Sequence, residues 1–597
     1  MKTNVSILQE RLQDFAYALR LTIKFYPQKL LCKALLTILT AVTGFFSLQY
    51  MLQYVINGAA SGASLGTLLS FMLLMLAANI VLKCIEAVYS ALIDPIITRR
   101  SATRFEKSLM DKLLKMDLSD YEDPHAYDLT LSALSMGKEA IGGVMDFVGE
   151  MLSAVVQLAL SVWLIVQIDP WLLLFPIIPL LLNPLNLRID QIYIEMMHKE
   201  QSVNRKKEYV RRTFYQKEYA CDMRLTHMPR VMLREFQSTV DRCKALRVSY
   251  GKKLATLFFI LSFLTNATTL LAIIYSVYHT LVTHTMMIGD CLVVLNLFGE
   301  VANNIQNMAR MFSWMDETAL NVKEYRAFME KQPAIVAPEH SWDIQELTSI
   351  SAKNACFAYT GSQDPAINAL TLHINKGEKI ALVGENGAGK TTLIKLLLRL
   401  YDVQSGSINA NGRNIKGYDP PVYRKRFAVV LQEHPLVAVS IAENVLGRRC
   451  THNDEPRVRS ALEAVGMWET VSRLPRGMHT PVSREFSAEG ANLSVGQQQL
   501  LSIASIYAQD CDVVILDEPS SALDPLAERD MYNTMLAACK GRTVIFITHR
   551  LSSVQDADRI CLCGHGTILE EGTHTQLMAR NGQYARMFNA QAAAYKL

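Results

Sequence analysis

The sequence is short of charge. Lysine, arginine, aspartate and glutamate make up only 19% of its 597 residues, and the two signs nearly cancel at a formal +4. So small a balance over so long a chain gives no field to gather a polyanion, and no nucleic-acid partner is expected. Paired cysteines are also lacking: eleven are scattered, and the one close pair, Cys561 and Cys563, falls in an expected strand without zinc-ligand spacing. Disulfides and a metal cluster are therefore not expected, and the thiols read as reduced and buried. Residues 1–28 hold no long apolar core and no small-residue cleavage site, which argues against a signal peptide. Instead Ile7, Leu8, Leu12, Phe15, Leu19, Leu21 and Phe25 recur at roughly helical spacing beside Arg11, Arg20 and Lys24. That is the pattern of an amphipathic helix lying along a membrane surface.

Apolar sequence is what the chain has in quantity. Half of the residues are hydrophobic, and a chain of this length is expected to divide into at least two units. Six apolar stretches lie near Leu30–Val55, Leu65–Ile93, Val144–Ile168, Trp171–Leu187, Leu254–Val282 and Ile288–Phe312. Most reach the roughly 20 residues that span a bilayer. The fourth is the shortest and contains Pro176, Pro179 and Pro184. Between the second and third stretches lie Arg99, Arg100, Arg104, Lys107, Lys112 and Lys115, and between the fourth and fifth Arg205, Lys206, Lys207, Arg211, Arg212 and Lys217. The connections Asn57–Ser64, Asp169-Pro170 and Thr283–Met287 contain no lysine or arginine. The positive-inside rule puts these outside and places the basic loops and both chain ends in the cytoplasm. The basic loops are too long for turns and predict spanning helices that continue as stalks, bending near Asp117–Pro124 and Phe214–Arg224.

Lys83, Glu86, Asp94, Glu150 and Glu300 fall in or near these stretches. Ionisable groups there usually face a bundle interior or a wet cavity, which makes them substrate-path candidates. The plainer alternative for Lys83 and Glu86, three residues apart, is a pair on one helix face, and Asp94 can lie at the membrane rim.

The boundaries drawn from these patterns are residues 1–28 for the surface helix, 29–330 for a six-span transmembrane domain, 331–345 for a linker with Pro333 and Pro338, and 346–597 for an α/β domain. In the last, Lys379–Val383 reads as a buried strand and Leu393–Leu398 as a helix. Between them runs Gly384-Glu385-Asn386-Gly387-Ala388-Gly389-Lys390-Thr391-Thr392. Glycine, four residues, then Gly-Lys-Thr in a strand-loop-helix context is a phosphate-binding loop. Its glycines let backbone N–H groups wrap phosphate oxygens, Lys390 adds charge, and Thr391 offers a hydroxyl to magnesium. Val513–Glu518 is a second buried strand that ends in Asp517, suited to hold magnesium, and Glu518, suited to polarise an attacking water. Between them, Leu493-Ser494-Val495-Gly496-Gln497 opens a helix and offers a second anion site.

With these residues in this order the chain resembles the ATP-binding cassette family throughout its C-terminal half. The resemblance implies ATP and Mg2+ as ligands. It makes Tyr359 the aromatic that stacks on adenine, Gln432 a glutamine near the metal and the γ-phosphate, Ser494, Gly496 and Gln497 the signature, Ser521–Asp524 the loop whose Asp524 lies at the nucleotide, and His549 the switch histidine. Gly384, Asn386, Gly387, Gly389, Lys390, Thr391 and Thr392 would contact the nucleotide, with Thr391, Gln432 and Asp517 toward the metal and Glu518, His549 and Gln432 in hydrolysis. Topology and domain order resemble an exporter-type half-transporter in the plasma or inner membrane. It would be paired with a second half, a homodimer in preference to a heterodimer, and would move a peptide, drug or lipid-like cargo. Val495 and Ala488 depart from the family's usual glycine and glutamate, and Glu489 is placed to stand in for the latter. An importer on the exporter architecture and a regulatory membrane ATPase without flux are the rival expectations. A catalytic Cys-His peptidase ahead of the spans is not expected.

Overall fold

A computed structural model describes residues 4–362, 364–430, 436–517, 534–535, 537, 539–549 and 551–594. The chain divides into two compact units, one of Met1–Leu114 with Asp128–Lys331, the other of Lys115–Tyr127 with Gln332–Leu597.

The first unit is helical. It opens with a helix over Asn4–Phe25, which buries Ala18, Leu21 and Phe25 and leaves Leu12 and Ile23 exposed. Among the described residues, five helices are long and apolar enough to cross a membrane: Pro27–Ala60, Leu65–Leu113, Gly137–Ile168, Met228–Leu281 and Ile288–Ile305. The first two pass through single π turns at Phe46–Tyr50 and Tyr89–Ile93 without breaking. The fourth expected stretch is interrupted, with a 3-10 turn at Pro170–Leu173, a short helix at Leu174–Leu181 and a long one at Asn183–Tyr215. The break at Leu182 comes just before Pro184 in the first turn of the long helix, where a proline's missing N–H costs nothing, whereas Pro176 and Pro179 lie within Leu174–Leu181. Helices continue well past the apolar stretches, to 45 residues at Pro124–Ile168 and 54 at Met228–Leu281. Phe259 and Phe263 are 72% and 65% exposed, surface that lipid solvates and water does not.

Of the ionisable groups in these helices, Lys83 and Glu86 pair on one face at 2.7 Å, and Asp94 binds Lys29 at 3.1 Å. A polar tie joins the end of the first long helix to the start of the last: Asp290 accepts from Gln53 at 2.8 Å and Asn57 at 2.7 Å. The cysteines correct the expectation of uniform burial. Cys291, Cys511, Cys539, Cys561 and Cys563 are buried, whereas Cys84 and Cys221 are exposed.

The second unit carries two sheets. An antiparallel one, ordered β2-β1-β4-β5, is made of β1 (Ser349–Phe357), β2 (Ile367–Asn375), β4 (Ser405–Ala410) and β5 (Arg413–Asn414). The other comprises β3 (Lys379–Val383), β6 (Phe427–Val430), β7 (Val513–Asp517), β8 (Thr543–Ile547), β9 (Arg559–Gly564) and β10 (Thr567–Gly572), in the order β10-β9-β3-β8-β7-β6. All its neighbours are parallel except β9 and β10. Alternate side chains of a strand point to opposite faces, and here both faces are covered. Ile380, Leu382, Ile515 and Ile545 pack with Leu393 and Ile394 on one side, while Ala381, Val383, Leu516 and Phe546 join Leu501 and Ala504 on the other. Two-sided burial is why β3, β7 and β8 read as continuous apolar runs.

Candidate nucleotide site

In an open parallel sheet, ligands bind beyond the carboxyl ends of the strands. Register brings three such ends together: Leu382 of β3 lies opposite Ile547 of β8, and Ile547 lies opposite Asp517 of β7. The phosphate loop leaves β3 at Gly384, Asp517 ends β7, and His549 follows β8 by two residues. Segments far apart in the chain therefore meet along one edge.

The loop is shaped by glycine. Gly384, Gly387 and Gly389 have φ of +147°, +83° and +94°, a region closed to most side chains. A Cβ at Gly384 would stand 2.3 Å from the Cys563 carbonyl oxygen, so β9 presses the loop from behind. Burial pushes the Cys563 thiol up to about 11, against the opposing charge of Lys390. Gly389 caps the helix Lys390–Leu397 in the left-handed conformation, leaving that helix's first N–H groups directed at the loop. Lys390 is buried, and its ammonium donates to the carbonyls of Gly384 at 2.8 Å and Glu385 at 2.9 Å. The Thr391 hydroxyl donates to Asp517 Oδ2 at 3.4 Å. A hydroxyl and a carboxylate set side by side are hard oxygen donors of the kind Mg2+ prefers. Together with a glycine cradle and a buried cation, these residues fit a magnesium nucleotide.

Around them, Thr392 is buried and its hydroxyl meets the Tyr359 hydroxyl at 3.1 Å. Tyr359 is partly buried, edge-on to Phe357 at 5.0 Å and to Tyr401 at 5.6 Å. Ser494 is the N-cap of the helix Val495–Ala508, its Oγ accepting from Gln497 N while Gln497 Oε1 accepts from Ser494 N at 3.0 Å. The Ser494 hydroxyl proton is left to donate outward, whereas the Gln497 side-chain oxygen is committed to the cap. Gly496 lies in the first turn of that helix and Val495 beside it is 60% exposed. Asn386 lies in the turn of the loop. Glu489 is held by Arg476 at 2.7 Å. The His549 carbonyl accepts from Gln591 Nε2 at 2.6 Å, and Gln591 Oε1 accepts from Leu551 N at 2.9 Å. A C-terminal helix thus clamps the histidine's turn, a role nothing in the sequence near Gln591 announces. Gln432, Glu518 and Asp524 lie outside the described residues.

Two further side chains were not legible as site residues. Lys395, in the helix after the loop, places its ammonium 5.6 Å from the Tyr359 ring centroid and 5.8 Å from that of Tyr401. It also pairs with Glu122 at 2.7 Å.

Residues 367–521 match the sequence profile of the ABC transporter family. The chain is 36% identical over 242 residues to an ATP-dependent lipid A-core flippase of Vibrio parahaemolyticus, covering 40% of this chain and 41% of that protein. It is 38% identical over 243 residues to the flippase of the same name from Pasteurella multocida, at 40% and 41% coverage. To an ABC-type transmembrane transporter, verA, of Clonostachys rogersoniana it is 37% identical over 254 residues, 42% of this chain and 20% of the relative. The chain thus spans about two-fifths or less of the length of these curated relatives. Among solved structures, a bacterial Atm1-family ABC exporter with ATP bound superposes with a TM-score of 0.76 at 19% identity, over 95% of this chain and 98% of that one. The chain therefore carries an ABC transporter domain at residues 367–521 and has the fold of that exporter, with a helical membrane-type domain and an α/β nucleotide-binding domain in one polypeptide.

Proposed function

We propose that the protein is an ATP-driven exporter half that works as a pair, hydrolysing ATP to move a peptide, drug or lipid-like cargo out of the cytoplasm. The observation that carries this reading is the meeting of the phosphate loop, Asp517 and the His549 turn on one sheet edge, in a chain with five membrane-length helices among its described residues. Bound Mg2+ would neutralise charge on the β- and γ-phosphates, with Thr391, Asp517 and Gln432 as its protein neighbours. Lys390 exchanges its loop carbonyls for phosphate oxygens, and the glycine loop and Asn386 supply backbone donors. Tyr359 stacks on the base. Glu518 accepts the proton of the attacking water, His549 holds the γ-phosphate region, and Asp524 contacts the nucleotide.

Ser494 and Gly496 sit on a helix that packs with the helices Ile441–Leu446 and Glu455–Ala464, and they complete the site of the second copy. Two nucleotides then clamp two copies, hydrolysis removes the phosphate contacts, and the spanning helices alternate their access. Coupling is supported by Lys115–Tyr127, which is inserted between helices of the membrane unit yet clusters with the ATP-binding unit. The membrane domain lies in the plasma or inner membrane with both chain ends inside.

The test is ATP turnover of the purified chain in proteoliposomes against panels of peptides, drugs and lipid-like amphiphiles. Saturable stimulation by one class supports the reading. Turnover indifferent to every class supports a regulatory ATPase instead.

A further inference from the structure

The segment Lys115–Tyr127 does more than touch the ATP-binding unit. Asp117 accepts from Ile335 N at 3.3 Å and also from Ala334 N, Leu118 packs on the core beneath the phosphate-loop helix, and Glu122 reaches into the aromatic cluster around Tyr359. There the Glu122 carboxylate takes Lys395 on one oxygen, at 2.7 Å, and the Tyr401 hydroxyl on the other. Burial alone would raise Glu122, but the hydrogen bonds from Lys395 and Tyr401 outweigh it and hold its carboxyl below the usual range. Burial would lower Lys395, and the Glu122 hydrogen bond together with Tyr359 outweighs that. Both groups are therefore charged at neutral pH.

A cation over an aromatic ring is attracted by the ring's electron density, and here it is held in place by a fixed anion. The ring so polarised presents an electron-poorer far face, which suits stacking against an electron-rich purine. The Tyr359 hydroxyl is fixed from another side by Thr392.

We propose that Glu122 is a positioning residue for the nucleotide base: it fixes Lys395 over Tyr359, and so ties seating of the Lys115–Tyr127 segment to affinity for the base rather than for the phosphates. This rests on the reading of Tyr359 as the base-stacking aromatic. Linkage is reciprocal, so whatever displaces the segment loosens the base, and base binding steadies the segment.

The experiment uses the full chain in nanodiscs and measures displacement of a fluorescent ATP analogue by ATP and, separately, by inorganic tripolyphosphate, which has no base. Glu122→Gln and Lys395→Met are each expected to weaken ATP by roughly three- to fivefold, the scale of one lost cation–π contact, and to leave tripolyphosphate unchanged. Lys395→Arg, which keeps a cation over the ring, stays close to wild type. The charge swap Glu122→Lys with Lys395→Glu restores an ion pair but sets a carboxylate on the ring, and it does not recover ATP affinity. Recovery there would mean that the pair serves only to anchor the segment, and would overturn the proposal. So would equal losses for ATP and tripolyphosphate, or unchanged ATP affinity in Glu122→Gln alongside a loss in Tyr359→Ala. Unchanged ATP affinity in Tyr359→Ala overturns the base-stacking reading itself. Melting midpoints taken on the same samples identify any variant that is unfolded, and Lys395→Arg and Glu122→Gln, both close in shape, then carry the test.

Discussion

Alanine at Gly389 measures how tightly the phosphate loop is enclosed. Gly389 has φ of +94°, and a Cβ there would stand 2.6 Å from the Ala366 carbonyl oxygen and 2.9 Å from Ile367 Cδ1. Left-handed backbone costs an L-residue about 1–2 kcal/mol. Relieving an overlap with a backbone oxygen, which has no rotamer to escape into, costs about 1–3 kcal/mol more. Gly387 is the internal control, with φ of +83° but nothing within 4 Å of an added Cβ. Gly387→Ala therefore carries the backbone cost alone. The excess in Gly389→Ala corresponds to a melting midpoint lower by about 2–12 °C, at roughly 2–4 °C per kcal/mol for a domain of this size. Thermal unfolding of the two variants of the full chain, with ATP affinity measured in parallel, reads the difference. Equal midpoints, or a lower one for Gly387→Ala, would refute the argument that the Ala366 backbone closes on the loop.

Lys390→Ala is expected to weaken ATP binding itself, by about tenfold or more, since one charge-assisted hydrogen bond contributes about 1.5–3 kcal/mol; unchanged affinity in direct binding counts against it. Glu518→Gln should bind ATP normally and turn it over far more slowly, because an amide cannot take the water's proton, and near-normal turnover in the mutant rejects the assignment. Ser494→Arg should abolish turnover in a homodimer, where a bulky cation blocks both interfaces; retained activity of the pure mutant would contradict shared sites. The Glu122 ion pair sets a pH dependence. A carboxylate depressed in the folded state contributes fully above its unfolded value, and the contribution is lost as pH falls through the lower folded value. ATP affinity of wild type over Glu122→Gln should thus hold steady between about pH 8 and about pH 6 and fall only in acid; a change near neutrality would remove the ion pair from the account.

What could be read in advance followed local chemistry. β3 has the bounds its apolar run suggested, Lys379–Val383, and the helix begins at Lys390 because left-handed Gly389 turns the chain into it. The long helices announced themselves through apolar runs flanked by polar stalks, and the one expected span that is divided restarts at Asn183, with Pro184 in its first turn. The contact between Glu122 and Lys395 was beyond reach, since the two are separated by 273 positions and no periodicity encodes such a pairing. Lys395 looked like any lysine on a helix face. Gln591 was invisible for the same reason, 42 residues from the carbonyl it holds. The exposed Cys84 shows the limit of composition: in a helix meant for lipid an apolar neighbourhood lies on the outside.

The most direct test of the central claim is ATP-dependent uptake into inside-out vesicles of a compound that stimulates turnover, compared between the wild-type chain and Glu518→Gln. The account predicts accumulation inside such vesicles that requires ATP and disappears in the mutant. Wild-type hydrolysis with no accumulation of any stimulating compound, or ATP-driven movement in the opposite direction, would contradict it.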